Sequence, residues 1–238
     1  MANNNDDQDD PLKDELTRYI AGHLDRITIN LVRVGILVAA ADEVYPTDGK
    51  EVAVYKQDII RSAVVFLHAT LEDFLRYIGS MYLPTSREDV LNRVPIVGSP
   101  DVLRAEKFFL GRLASHRGKS VDQLISDSIA AYLDRLTFND TNDISALLEA
   151  VDIEIDPVRG LYPQLANLMR RRHQIVHRGD LLESDTDGPR EAAPIAAQAV
   201  MEWHDAVKNF ISTVITLKIE KDFIPRLTKR RSAPDEPA

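Results

Sequence analysis

Residues 52–82 constrain the fold more than any other stretch of the chain. Val64, Leu67, Leu71, Phe74, Leu75 and Ile78 recur every three or four positions and share one helical face. The pattern predicts a helix from about Val52 to Tyr82, ended by Pro84. So long an apolar stripe needs other helices to cover it. The sequence offers them. A first helix is expected from about Leu12 to Glu43, with Tyr45-Pro46-Thr47-Asp48-Gly49 as the turn between the two. Ser86 can cap a short helix before Pro95. Ser99-Pro100 opens another, which Gly118 breaks. Ser120 and Gln123 have capping-box spacing and open a helix to about Leu136. Thr141 or Asp143 starts a short one through Val151, and Pro157 starts one that Gly179 closes. A last helix is expected from about Ile195 to Lys218 or beyond, after a loop at 185–189. No segment alternates as a strand, since the run Val94 to Val97 is short and bounded by Pro95 and Gly98. The expectation is an all-α bundle of long antiparallel helices with shorter helices inserted. One domain spans 12–228, between an acidic arm at 1–11 and a loose polar tail at 229–238.

Composition permits this. A hydrophobic fraction of 44% is enough for a real core. The most apolar stretch, Ile27 to Ala41, is short for a membrane span and holds Arg33. The start, MANNNDDQDD, lacks the basic and apolar regions of a secretion signal. No stretch reads as a membrane span, so no membrane is expected, and the lack of cysteine excludes disulfides and thiolate chemistry and fits a reducing, cytoplasmic setting. The net charge of −9 argues at first against nucleic acid. Its distribution answers the objection. Asp6, Asp7, Asp9, Asp10, Asp14 and Glu15 against Lys13 leave −5 in the first fifteen residues. Residues 170–180 instead carry four arginines and one aspartate, and Arg226, Lys229, Arg230 and Arg231 form a second basic run. Local field governs an anionic ligand more than the chain total does.

The segment Arg170-Arg171-Arg172-His173-Gln174-Ile175-Val176-His177-Arg178 draws attention because its charges do not all share one face. Leu161, Leu165, Leu168 and Ile175 make the apolar stripe of that helix, and Arg172 falls in it. His173 falls on the flank with Ala166, Met169 and Val176. Arg171 aligns with Gln164, Asn167, Gln174 and Arg178 on what reads as a solvated face. An unpaired charge turned toward a core or interface is costly, so Arg172 and His173 mark a candidate site. His173 and His177 are neighbours on one face. Arg172 and His177, five positions apart, are separated by about 140° of rotation. A long arginine stem, a loosened last turn, or a second copy of the helix is needed to bring them to one cleft. The side-chain types suit phosphodiester cleavage. Histidine exchanges protons near neutral pH, arginine holds a phosphate bidentately, and RNA brings its own 2′-hydroxyl nucleophile. Such chemistry needs no metal and no cofactor.

Arg172-His173-Gln174-Ile175-Val176-His177 matches the Arg-x4-His motif of HEPN domains, with their usual polar residue after the arginine. Leu113 through Asp180 resembles the HEPN domains called RiboL-PSP-HEPN. The residues that carry this are Lys119-Ser120-Val121-Asp122, Thr137-Phe138-Asn139, Asp143-Ile144 and Arg171 through Asp180. The stretch His68 to Arg76 resembles the early HEPN helix that packs beside the motif, so the likeness covers roughly 55 to 215. It implies an all-α bundle, usually a homodimer with a shared cleft. It implies metal-independent endoribonuclease activity leaving a 2′,3′-cyclic phosphate, in toxin–antitoxin or antiphage defence, with a possible antitoxin or defence partner protein. By this resemblance Arg172 would stabilise the scissile phosphate and His177 would be general base or acid. His173 would assist. Glu72 matches an acidic position that faces the motif and could orient Arg172 or a histidine. Apart from the resemblance, Arg170, Arg171 and Arg178 read most simply as a solvated face at a helix C-terminus, which could also touch RNA phosphate. Some HEPN toxins carry a modifiable tyrosine two residues past the motif histidine; here Gly179 stands there.

Plainer readings stand beside these. Arg172 also suits a structural pair with Glu72 or another acid inside the bundle. His173 and His177 have zinc-ligand spacing but no evident third ligand. His68, Glu72 and Arg76 read as an i, i+4 surface ion-pair stripe. Thr137-Phe138-Asn139 reads as a helix-ending turn, with Asn139 capping the next helix. The alternative function is a catalytically silent HEPN module that binds RNA or protein.

Overall fold

The computed structural model describes residues 11–43, 50–97, 110–180 and 192–231. The fold is all-α, with no strand among the described residues. Four long helices dominate: α1 (Pro11–Glu43), α2 (Lys50–Tyr82), α7 (Tyr162–Arg178) and α8 (Ala197–Arg231). Between α2 and α7 lie α3 (Glu88–Leu91), α4 (Val121–Arg135), α5 (Thr141–Ala150) and α6 (Asp156–Arg159). Short 3-10 turns run over Leu83–Thr85 and Leu110–His116.

Helix α2 is the hub, packing against α1, α4, α5, α7 and α8. The stripe read from the sequence is its buried face: Val64, Leu67, Leu71, Phe74, Leu75 and Ile78 are all covered. Leu165, Leu168 and Met169 of α7 join the same core, as do Val200, Val207, Phe210 and Val214 of α8. Phe74 and Phe210 meet edge to face at 6.3 Å between ring centres, a favoured aromatic geometry. On the α4 side Gly79 permits close approach, because a Cβ there would stand 2.8 Å from Leu133 Cδ2. Helix α1 is apolar on several sides. It buries Ile27, Val34, Val38 and Ala41 and leaves Ile29, Val32 and Ile36 exposed. Among the described residues no helix is long and apolar enough to cross a membrane.

Local signals explain most boundaries. Ser120 accepts a hydrogen bond from the Gln123 backbone N–H and caps α4 as its spacing predicts. Gly118 takes φ +87° after the 3-10 turn. Three expectations need correction. The helix expected from Pro157 to Gly179 is two, because α6 stops at Arg159 and α7 restarts at Tyr162 with Pro163 in its first turn. Gly160 is a weak helix former and Pro163 has no N–H to continue a ladder, so the chain bends between them. Asp140 rather than Asn139 caps α5. The final helix continues past Thr228 to Arg231. The helix start at Ser99-Pro100, the loop at 185–189 and the arm at 1–10 lie outside the described residues.

Candidate functional site

The end of α7 is set by backbone conformation. Gly179 (φ +60°) and Asp180 (φ +57°) are both left-handed, and the Asp180 N–H donates to the Gln174 carbonyl at 3.0 Å. This is a glycine-type helix stop. Asparagine and aspartate tolerate that conformation better than most residues. It turns the Asp180 side chain back under the helix, where it is 1% exposed.

There Asp180 meets two arginines. Arg61 Nε of α2 donates to Asp180 Oδ2 at 2.7 Å, and Arg171 Nη2 of α7 donates to the same oxygen at 2.8 Å. Both guanidiniums also donate to the Ala193 carbonyl. The Ala193 N–H donates in turn to the Asp180 carbonyl at 2.8 Å. Gln57 of α2 bonds both the N–H and the carbonyl of Ile195. Arg171 is thus half-buried and ion-paired, which corrects its expected place on a solvated phosphate-binding face. Two left-handed residues past the helix end, Gly179 and Asp180, create its partner, so helical periodicity carried no sign of it.

Arg172 turns to the other side of α7. Its Nη1 lies 3.5 Å from Asn139 Oδ1, the outer limit of a hydrogen bond. It does not pair with Glu72. Glu72 Oε2 instead accepts from Arg76 Nη1 at 3.2 Å, and Glu72 Oε1 lies 3.7 Å from His68 Nδ1. His68 is 1% exposed, so this cluster is no surface stripe. Only a donor can face the Phe138 carbonyl, so His68 Nε2 carries the proton of their 3.2 Å hydrogen bond. Burial pushes the His68 imidazole below its ordinary value; Glu72 raises it and Arg172 lowers it again. The ring and the carboxylate at 3.7 Å point both ways as a charge pair. Desolvation decides for a neutral ring, since 3.7 Å is too long for a hydrogen bond to offset it.

This polar cluster holds the chain between α4 and α5. Arg76 donates to the Leu133 and Leu136 carbonyls at 3.3 and 2.9 Å, where cations suit a helix C-terminus. His68 holds the next carbonyl but one, that of Phe138, whose ring is buried. Asn139, Asp140 and Thr141 follow at once and form the wall opposite α7. His68 and Asn139 are therefore site-shaping residues that sequence spacing did not single out. The earlier hints were the polar i, i+4 pattern on α2 and the turn read at Thr137-Phe138-Asn139.

Between that wall and α7 lies an open groove of about 480 Å³, lined by Asn139, Asp140, Thr141, Met169, Arg170, His173 and Arg178 among others. His173 and His177 are both exposed, and their rings stand 4.7 Å apart, tilted by 44°. Val176, 48% exposed, lies on the same face. The structure thus brings Arg170, Arg178 and His173 to one groove and His177 beside His173. It places Arg172 at the inner edge, against Asn139. It leaves Arg171 and Glu72 outside, each committed to another partner. Among the described residues no group of three or more histidines and carboxylates is gathered closely enough to hold a metal ion.

No family model, curated protein or solved structure matches this chain.

Proposed function

We propose that the protein is a metal-independent endoribonuclease of HEPN type, acting as a homodimer in a toxin or antiphage role. The observation that carries this reading is the exposed His173–His177 pair at 4.7 Å, set beside a groove edged by Arg170 and Arg178. Two adjacent imidazoles supply a base and an acid for 2′-hydroxyl attack and leaving-group protonation. The cations supply affinity for phosphate. Arg172 sits one residue from His173 and stabilises charge growing on the scissile phosphate when it leaves Asn139 for substrate. Within one chain Arg172 and His177 diverge around the helix, and a second copy across the exposed face of His173, Val176 and His177 gives the missing juxtaposition. Glu72 has no direct part; it holds Arg76 and faces His68.

The test is incubation of purified protein with a mixed RNA pool in excess EDTA, followed by end-group analysis. The expected result is cleavage with 2′,3′-cyclic phosphate ends, undiminished by the chelator. Loss of cleavage in EDTA, restored by zinc, would assign the histidines to a metal instead. A folded dimer that binds RNA and leaves it intact would favour the silent binding module.

A further inference from the structure

The groove contains one residue that phosphate binding does not explain. Asp140 lines it together with Arg170, His173 and Arg178. A carboxylate there repels a polyanion. Its structural duty uses one oxygen: Asp140 Oδ1 accepts from the Asn142 N–H at 2.9 Å and caps α5. Asparagine, serine or threonine perform that duty about as well, so the fold does not require the negative charge. The neighbouring Asn139 turns Oδ1 to Arg172, and its Nδ2 donates to nothing else among the described residues. The groove therefore presents an acceptor-only carboxylate next to an amide donor. Met169 and Ala166 add apolar lining, and His173 lines the groove with them. A volume of about 480 Å³ is within the range of small-molecule sites.

A flat aromatic ligand with two adjacent donors and an acceptor on one edge complements these groups. Among the RNA bases that edge belongs to guanine: its N1–H and exocyclic N2–H2 can both donate to one carboxylate, and its O6 accepts beside them. Uracil presents one donor between two acceptors. Cytosine and adenine present one amino group next to an acceptor. Unstacked bases of single-stranded RNA are read by such edge contacts and by stacking. We infer that this groove is a nucleobase subsite selective for guanine, with Asp140 accepting from N1–H and N2–H2, Asn139 donating to O6, and Arg170 on the attached phosphate. The inference rests on the ribonuclease reading for its biological sense and on the groove alone for its chemistry.

Binding tests it without any cleavage. Guanosine, adenosine, cytidine and uridine 3′-monophosphates are titrated against wild-type protein and Asp140→Asn, by calorimetry and by chemical-shift changes at His173. Guanosine monophosphate is expected to bind about tenfold tighter than the others, the scale of one bidentate edge contact. Asp140→Asn keeps the cap and an unchanged melting temperature, and brings the four ligands within about twofold of one another. Arg170→Ala weakens all four alike. Equal binding of the four by wild type, absence of binding, or a guanine preference that survives Asp140→Asn each overturns the inference. The two readings fail separately. Guanine selectivity in a protein that never cuts RNA leaves the subsite standing without the nuclease. Cleavage without base preference leaves the nuclease standing without the subsite.

Discussion

The two sides of the last turns of α7 use the same residue types to opposite ends. On one side Arg171 is half-buried, shares Asp180 with Arg61, and holds the returning chain at Ala193. On the other side His173 and His177 stand exposed beside the groove of Arg170 and Arg178. Arg171 and Arg172 are adjacent in sequence and about 100° apart around the helix, and they serve different walls of the protein. The difference teaches that cationic character in a motif does not measure availability. A guanidinium tied to a buried carboxylate is committed to the fold through that end of its fork, and replacing it by another cation would not restore the same bonds.

The comparison can be broken at its extremes. His177→Ala should lower RNA cleavage by roughly 10²- to 10⁴-fold, the contribution typical of a general acid or base. Its melting temperature should match wild type, because the side chain is exposed. Undiminished cleavage would remove His177 from the mechanism. Asp180→Ala is the mirror experiment. It leaves Arg171 half-buried without its carboxylate and Arg61 with only that of the exposed Asp58, and breaking such a node costs about 3 kcal/mol. Denaturant titration should show that loss; a change under about 1 kcal/mol would mean the node is not structural.

A smaller effect sharpens the comparison from the α2 side. His68 is neutral in the fold, its affinity for protons reduced first by burial. In the unfolded chain it titrates near about 6.5. The unfolded state thus binds the proton more tightly. The contribution of His68 to stability is full above about pH 6.5 and is lost as pH falls through its lower folded value. His23, also lowered by burial, moves the same way. Denaturation midpoints measured from pH 7.5 to 5 should fall, and His68→Gln should flatten part of that slope. An identical slope in the variant would assign the effect elsewhere. The smallest effect belongs to the exposed pair of Arg26 and Asp73, 55% and 36% exposed. Arg26→Ala should cost less than about 1 kcal/mol and leave cleavage unchanged.

What the sequence revealed follows from range. The stripe of α2, the Ser120 cap and the stop at Gly179 are local signals, and each was legible from neighbouring residues. The division of α6 from α7 was also local but weak, since Gly160 and Pro163 are each tolerated at a helix edge. The site was legible in part. His173, expected to turn toward the core or an interface, stands exposed, and Arg171, expected on the solvated face, is half-buried, because its partners Arg61 and Ala193 lie far away in sequence and Asp180 reaches it through left-handed backbone. Asn139 and His68 were read as a helix cap and a surface ion-pair residue, and their places in the site were missed for the same reason. Their roles arise where α2 touches the α4–α5 connection, a contact that no spacing within either segment encodes.

The hydrogen bond from Ala193 N–H to the Asp180 carbonyl has a further consequence. Asp180 and Ala193 are thereby held together, and Arg61, Arg171 and Gln57 latch the same place. The twelve residues between them are thus bounded by two points that groups outside the segment hold fixed. Doubling such a connection costs only about 0.6 kcal/mol in closure entropy. This makes it the place where a new segment could be inserted, or a tag grafted, while α7 and its two histidines keep their positions.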